Sequence, residues 1–415
     1  MDGRRLVCCY ISGLDLRRVA ESHTPFLWAA RERYPFAPFV NLPSNELFPT
    51  LVTGVDPAVH GVWGVKLDAA ARPAQPSGFL AMLPDALATT IQGVLHALTR
   101  AFDLAAIAPR RRARFRITRT KYKRRIKRRE ALFKIGGIPT VFDVVGADRS
   151  RYLFDARYDP VRTVLPRLCE DSCVLEVVEL YSLDRYQQWN LDRLEKVLGF
   201  YGRIDAFLSR LYERCEAKGW SLLIVSDHGH EPIQTSYDLK KDLATLDVAA
   251  EDYSYFLEVS SARFWFHTDV ARKRLLDLLA TIPHSTTLRY DEMARHGLPL
   301  HDSSYGEVFV YLEPGHIFFP HDFHHPLANL WLGLTDPMQR SRLRDPRHRG
   351  NHGHLPHFEA ERSFALLFDQ SCEVSRVAAR EPATVLDVAP TILHFLDHEA
   401  PPTMKGRPLF QRRGS

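Results

Sequence analysis

An aspartate and a histidine, Asp227 and His228, directly follow an apolar run in the middle of the chain. The run, residues 222–225, is typical of a strand buried on both faces of a parallel sheet. Open α/β sheets bind ligands just beyond the carboxyl ends of such strands. A carboxylate oxygen and an imidazole nitrogen there are suitable ligands for Zn²⁺ or Mn²⁺. The pair therefore predicts half of a metal site, and the alternative is a polar turn after a core strand.

The elements around this pair predict an α/β fold. Residues 6–11 and 174–180 are apolar runs of the same kind as the run that precedes Asp227. A long helix is predicted from about residue 191 to residue 218, where Gly219 ends it. This strand–helix–strand order predicts a right-handed parallel crossover, and hence a mostly parallel sheet sandwiched by helices.

Polar side chains also follow the other two strands. Ser12 comes directly after the first strand, and Asp184 and Gln188 come after the second. Asp184 and Gln188 are four positions apart, so they share one face if that turn is helical.

A hydroxyl near a predicted helix start is a candidate for approaching an anion. The sequence predicts a helix that begins near Ser44, with Glu46 in its first turn, although Pro49 is late for a first turn. Gly54 ends this helix, and residues 55–61, VDPAVHG, are predicted to form a loop. Free backbone N–H groups at a helix start point towards the same place as the hydroxyl.

Composition limits the class of protein. The chain has 415 residues, 45% hydrophobic and 25% charged, which is typical of a globular protein with a large core. No apolar run approaches the roughly 20 residues of a membrane span, and the N-terminus lacks the cleavage site of a signal peptide. Six scattered cysteines show no disulfide framework and no paired CxxC zinc motif. These features predict a cytoplasmic protein without a transmembrane segment.

Two regions are predicted to be insertions into a single domain of residues 1–415. The first, residues 68–135, is helical and basic, and from Arg110 to Arg129 it is dominated by arginine and lysine. Blocks of like charge are usually solvated, but this one, with Phe115 and Tyr122, is also suited to a polyanion, a nucleic acid or an anionic membrane surface.

The second predicted insertion, residues 235–345, alternates short strands with a helix. This pattern predicts an α+β insert that forms a cap over the site. It contains the histidine-rich segment HDFHHP, residues 321–326, which we interpret as a surface loop.

Six motifs, taken in chain order, resemble those of the alkaline phosphatase superfamily. Their best match is its type I phosphodiesterase/nucleotide pyrophosphatase branch, and they extend from the first strand to the last helix. The motifs are ISGL, PSNELFPTLVTGVDPAVHG, LDRYQQ, VSDHGH, GNHGH and LDVAPTILHFL with GRPL after it.

The resemblance implies an alkaline-phosphatase-like fold and a site with two divalent ions, usually Zn²⁺, about 4 Å apart. It implies that Ser44, at its fixed distance before the end of its helix, is the nucleophile that attacks phosphorus. Asp227 and His228 would bind the ion that activates Ser44, because a serine hydroxyl is otherwise a poor nucleophile. Asp184 and His352 would bind the second ion.

The sequence departs from this family pattern at three positions. Ser12 stands where the first strand usually supplies an aspartate ligand, and Gln188 stands where a histidine ligand is expected. Both are weak ligands compared with carboxylate or imidazole, so the chain could bind one ion or two. Val65 replaces a phosphate-contacting asparagine, and the adjacent Lys66 is a weak candidate for substrate binding. Other residues that could compensate, although each alone favours a structural or solvated role, are Asp15, His230, His354 and His357.

The sequence thus predicts a metal-dependent hydrolase of small phosphate esters, similar to phosphodiesterases. One alternative is transfer of the phosphoryl or a similar group from Ser44 to an acceptor other than water. Another is a binding or regulatory protein that keeps the fold and has lost its metals. Catalysis is favoured by the retained residues Ser44, Asp227, His228, Asp184 and His352. Binding is favoured by the substitutions at Ser12, Val65 and Gln188.

Overall fold

A computed structural model describes residues 3–43, 46–67, 82–99, 107, 111, 114–118, 134–336, 345–376, 378 and 382–414. The chain divides into two compact units. The first comprises Met1–Val62, Thr120–His230 and Pro356–Ser415, and the second comprises Trp63–Arg119 and Glu231–Leu355. Most described residues of the two predicted insertions fall within the second unit.

The described residues form short and long strands throughout the chain. In chain order they are β1 (Leu6–Ile11), β2 (Phe36–Val40), β3 (Val65–Leu67), β4 (Phe115–Ile117), β5 (Lys134–Ile135), β6 (Ile138–Pro139), β7 (Ser150–Asp155), β8 (Leu175–Leu180), β9 (Ser221–Ser226), β10 (Glu231–Pro232), β11 (Thr235–Tyr237), β12 (Tyr253–Leu257), β13 (Ser261–Phe266), β14 (Ser285–Arg289), β15 (Val308–Leu312), β16 (His316–Phe318), β17 (Gly350–Asn351), β18 (Arg362–Phe368), β19 (Cys372–Val374) and β20 (Phe410–Arg412).

Helices alternate with these strands. In chain order they are α1 (Pro25–Arg33), α2 (Phe48–Thr53), α3 (Pro57–His60), α4 (Asp85–Thr99), α5 (Val141–Val145), α6 (Pro160–Thr163), α7 (Ser182–Asn190), α8 (Leu194–Ala217), α9 (Leu239–Thr245), α10 (Asp269–Leu279), α11 (Pro326–Thr335) and α12 (Val388–Phe395).

A six-stranded sheet in the order β2-β18-β9-β1-β8-β7 forms the centre of the first unit. Strands β9, β1, β8 and β7 are parallel, while β18 is antiparallel to both β9 and β2. Every residue of β1 and β8 is buried, because side chains on both faces of these central strands are covered. The predicted mostly parallel sheet with flanking helices is confirmed.

The register of the central strands brings their carboxyl ends to one level. Ile11, the last residue of β1, pairs with Leu180 of β8 and with Ser226 of β9. The residues that follow these three therefore emerge at the same edge of the sheet. Helix α8 forms the predicted crossover between β8 and β9.

The second unit is built on a four-stranded antiparallel sheet in the order β12-β13-β15-β14. Helix α10 contributes Leu275 and Leu279 to an apolar cluster with strands of this sheet. Strands β3 and β4 pair with each other, and Phe115 of β4 is buried against Phe256 and Trp265. Phe115, within the basic segment, is thus a core residue of this unit.

None of the helices in the described part of the chain is long and apolar enough to span a bilayer.

Candidate active site at the carboxyl edge of the sheet

Asp227, the residue after β9, lies within a shell of hydrogen-bond donors. Tyr10 and Ser12 are two positions apart, so they share one face of the chain leaving β1, and their hydroxyls donate to Asp227 Oδ2 over 2.6 and 2.9 Å. The other carboxylate oxygen, Oδ1, accepts the backbone N–H groups of Gly13 and His228, each over 2.8 Å. Burial and the charge of Asp227 hold the pKa of Tyr10 well above its usual range, which keeps its hydroxyl protonated as a donor.

His228 has one ring nitrogen directed at a backbone carbonyl and the other at Asp227. Its Nδ1 lies 3.0 Å from the Gly229 carbonyl oxygen, which can only accept, so Nδ1 carries a proton. Its Nε2 lies 3.2 Å from Asp227 Oδ2. The prediction that Asp227 and His228 bind a metal ion stays a prediction.

A second buried pair forms next to this shell, between Asp184 of α7 and His230. His230 Nε2 lies 3.2 Å from Asp184 Oδ1, and both side chains are fully buried. Burial lowers the pKa of His230 below its ordinary value, although Asp184 partly opposes the shift. A neutral imidazole beside a carboxylate is a suitable ligand set for a divalent cation. Asp184 and His230 therefore form the core of a candidate metal site.

Gln188 supports Asp184. Because α7 is helical, the two residues share a face as predicted, and the Gln188 amide Nε2 donates to Asp184 Oδ2 over 2.7 Å. The amide orients the carboxylate in this arrangement. The prediction that Gln188 itself is a weak metal ligand stays a prediction.

His230 is the residue that sequence reasoning underestimated. Its proximity to Asp184 depends on the packing of the loop after β9 against α7, which no sequence spacing reveals. The available signal was its position three residues after Asp227, in the same loop. Its main-chain oxygen is held by Arg18, whose guanidinium donates to it over 3.0 Å.

The other proposed compensating residues within the first unit are Asp15, which has a structural role, and His357, which is solvated. Asp15 is buried and paired with Arg17 and Arg18, with the Arg17 contact at 2.8 Å. This pairing neutralises its charge and leaves Asp15 a poor cation ligand. His357 is exposed and packs on the ring of Phe358.

The helix predicted to begin near Ser44 begins later. Ser44 itself lies outside the described residues, and α2 starts at Phe48 with Leu47 in the N-cap position and no side-chain cap. This start places Pro49 in the first turn, where the N–H that proline lacks is not needed. The predicted helix start was therefore wrong, while Gly54 ends the helix with a φ of 62° as expected. The role of Ser44 as nucleophile stays a prediction.

The segment predicted as a loop after α2 contains the short helix α3, which Asp56 caps through the backbone N–H of Ala58. His60, at its end, is buried, and desolvation lowers its pKa to about 4. The Val62 N–H donates to His60 Nδ1 over 3.0 Å, so Nε2 carries the proton and donates to Thr50 Oγ1, 3.1 Å away. His60 thus does not activate the Thr50 hydroxyl as a base.

Within the second unit, His352 is buried, and its carbonyl oxygen accepts a hydrogen bond from Ser260. His354 Nδ1 lies 2.8 Å from the Leu312 carbonyl oxygen, which gives this side chain a structural role. Lys66 of β3 lies 5.3 Å from the ring centroid of Tyr305. The predictions that His352 binds a metal and that Lys66 contacts substrate stay predictions.

The basic segment is described only in part. Arg111 pairs with the buried Asp322 and lies 4.0 Å from the ring centroid of Tyr255, so its charge is compensated inside the second unit. His321, Asp322 and His325 are buried, so the interpretation of residues 321–326 as a surface loop was wrong. Tyr122 and the residues from 119 to 129 lie outside the described part of the chain. The predicted polyanion or membrane partner of the segment from Arg110 to Arg129 stays a prediction.

The fold is similar to that of nucleotide pyrophosphatases/phosphodiesterases. Murine ectonucleotide pyrophosphatase/phosphodiesterase 5 matches it with a TM-score of 0.65 over 96% of both chains, both by itself and as an inactive variant in complex with AMP. The human protein of the same name matches with a TM-score of 0.63 over 96% of both chains. Sequence identity is 12% in each case, so the likeness shows the fold. No protein-family model and no curated protein sequence matches this chain.

Proposed function

We propose that the chain is a metal-dependent hydrolase of phosphate esters, with its centre at the carboxyl edge of the six-stranded sheet. The observation that carries this proposal is the buried contact between Asp184 and His230, 3.2 Å apart. Its position, beyond the carboxyl ends of β8 and β9, is where open α/β sheets bind their ligands.

A divalent cation would be held by Asp184 and His230, and the resemblance to the family adds His352 as a further ligand. The lowered pKa of His230 favours the neutral imidazole that coordination needs. When bound, such an ion stabilises the negative charge that develops on the phosphoryl oxygens.

Side chains of the protein would supply the nucleophile and position the metal ligands. Ser44 would supply the hydroxyl that attacks phosphorus, which releases the alcohol or pyrophosphate leaving group and leaves the phosphoryl group, still carrying its other ester, on the serine. Water would then release a phosphate monoester from the serine. Gln188 would keep the Asp184 carboxylate oriented, and Arg18 would fix the main chain at His230.

Phosphodiester or pyrophosphate bonds of nucleotides are the proposed substrate class. This part of the proposal is supported by the matching murine protein, which is seen in complex with AMP. A similar fold alone does not define a substrate, so the substrate class is tested by comparing the hydrolysis of diesters and monoesters.

The test is hydrolysis of bis(p-nitrophenyl) phosphate and p-nitrophenyl phosphate by chelator-treated protein, before and after reloading with Zn²⁺ or Mn²⁺. We expect metal-dependent turnover, faster for the diester, and a fall in kcat/KM of at least about 1,000-fold in Ser44→Ala and Asp184→Asn. Asp171→Asn is the matched control, because its side chain is 81% exposed. Equal rates for wild type, Ser44→Ala and Asp184→Asn would refute the proposal.

A second candidate function is binding without turnover. It is favoured by the neutral side chains of Ser12 and Gln188 at two positions where the family has strong ligands. Nucleotide binding measured by calorimetry, together with no metal-dependent hydrolysis, would support it over catalysis.

A further inference from the structure

The two predicted halves of the bimetal site have different surroundings. Asp227 accepts four hydrogen bonds of 2.6 to 2.9 Å from Tyr10, Ser12, Gly13 and His228. A carboxylate has about four lone-pair sites, so these four hydrogen bonds occupy them, and the His228 Nε2 lies 3.2 Å from Oδ2 as a further neighbour. Two of the donors are backbone N–H groups at Oδ1, which leaves Oδ2 as the atom that a cation would have to share with two hydroxyls.

The donor set at Asp227 does not fit a tightly held cation. An ion at Oδ2 would displace the hydrogen of Tyr10 or Ser12 and would gain a single carboxylate and the imidazole of His228 in return. The family has a second carboxylate where this chain has Ser12, and that carboxylate would bring a second negative charge to the ion. A neutral hydroxyl is a much weaker ligand for Zn²⁺ than a carboxylate.

We propose that each chain binds one metal ion with high affinity, at Asp184 and His230, and that Asp227 is the centre of a closed hydrogen-bond shell. This inference rests on the proposed function for the ion at Asp184, which would then also be the ion that activates Ser44. In this arrangement, the hydroxyls of Tyr10 and Ser12 donate to the oxygen of Asp227 that a second ion would bind.

The hydrogen bonds of Asp227 also stabilise the turn that follows β1. Through the N–H of Gly13, Asp227 holds the turn that leaves β1, and the Gly13 carbonyl is held from the other side by Gln187 Nε2 over 2.6 Å. Gly13 has a φ of 80°, and a Cβ there would lie 2.9 Å from the Cα of Asp184. Asp227 therefore fixes a turn that packs directly against the helix carrying Asp184.

Metal counting tests this inference without measuring activity. Each folded variant is stripped with chelator, reloaded with excess Zn²⁺ and desalted, and its zinc is measured by mass spectrometry. Asp184→Asn should bind one equivalent less than wild type, whereas Asp227→Asn should bind as much as wild type. Taking differences between variants removes any zinc bound elsewhere on the surface.

Substitutions at Ser12 test whether a second metal ion can be gained rather than lost. Ser12→Asp should gain one equivalent of zinc over wild type, while the neutral isostere Ser12→Asn should gain none. The inference is overturned if Asp227→Asn loses an equivalent, or if folded Ser12→Asp gains none. Should Ser12→Asp fail to fold, Asp227→Asn decides alone. If Asp184→Asn and wild type bind equally, the proposed function fails instead, so the two failures can be told apart.

Discussion

Asp227 and Asp184 follow the two strands that flank β1, and both are almost completely buried, yet they receive different donors. Each carboxylate has an imidazole Nε2 3.2 Å away, from His228 and His230 respectively. Asp227 also accepts two hydroxyls and two backbone N–H groups, whereas Asp184 accepts the amide of Gln188 and the hydroxyl of Tyr181. A buried carboxylate needs compensation, and donors or a cation can both supply it. The comparison suggests that one carboxylate is compensated within the protein and that the other is arranged for an ion.

The largest effect should be the loss of Zn²⁺ affinity when His230, the ligand beside Asp184, is removed. His230→Gln should weaken Zn²⁺ affinity by more than about 100-fold, because losing a direct ligand exceeds the usual 10- to 100-fold effect of its supporting partners. Competition with a chromophoric chelator measures the change. His394→Gln is the control, because His394 is an exposed histidine of α12. Equal Zn²⁺ affinities in the two variants would show that His230 is not a metal ligand.

Gly13 lies between the two carboxylates, so changing it should disturb both. Gly13→Ala should lower the free energy of unfolding by about 2–3 kcal/mol, because alanine is strained at this φ and its Cβ meets the Asp184 backbone. Urea unfolding measures this loss. Gly199→Ala on α8 is the matched control, since open space surrounds that position, and it should change stability by less than about 1 kcal/mol in the favourable direction.

Tyr10→Phe should open the Asp227 shell without adding volume. We expect a loss of about 1.5–3 kcal/mol in the free energy of unfolding, the usual range for a hydrogen bond to a charged group. Tyr34→Phe removes a hydroxyl that pairs with the neutral Tyr212 hydroxyl, so its loss should be nearer to 1 kcal/mol. If both variants lose the same amount, the Tyr10 hydroxyl is not bound to an anion.

The smallest effect concerns pH. Burial lowers the pKa of His230 in the folded, metal-free protein below its ordinary value of 6.5. The stability that this neutral side chain contributes is therefore fully present above pH 6.5 and is lost as pH falls through its lowered pKa. In chelator, His230→Gln should flatten the stability–pH curve below pH 6.5 by at most about 1.4 kcal/mol per pH unit. An unchanged slope would mean that the ring is not buried as a neutral base.

The sequence predicted those parts of the fold that depend on local pattern. Apolar runs identified β1, β8 and β9, and parallel pairing then placed Ser12, Asp184 and Asp227 at one edge of the sheet. The position of Asp184 and Gln188 on one helix face also followed from their spacing. These inferences succeeded because strand and helix periodicity are properties of the chain itself.

Contacts between segments that are far apart in the chain could not be predicted from the sequence. The pairing of His230 with Asp184 depends on how a loop packs on a helix, and the donation from Tyr10 to Asp227 joins residues 217 positions apart. The burial of Phe115 was missed because the charges around it in sequence dominate the pattern, while its partners lie in other strands.

The most direct test is a crystal grown with Zn²⁺ and measured at the zinc absorption edge. We expect an anomalous peak about 2.0–2.2 Å from an oxygen of Asp184 and a nitrogen of His230, and no peak between Asp227 and His228. A peak at Asp227 and His228, or its absence at Asp184 and His230, would contradict the account.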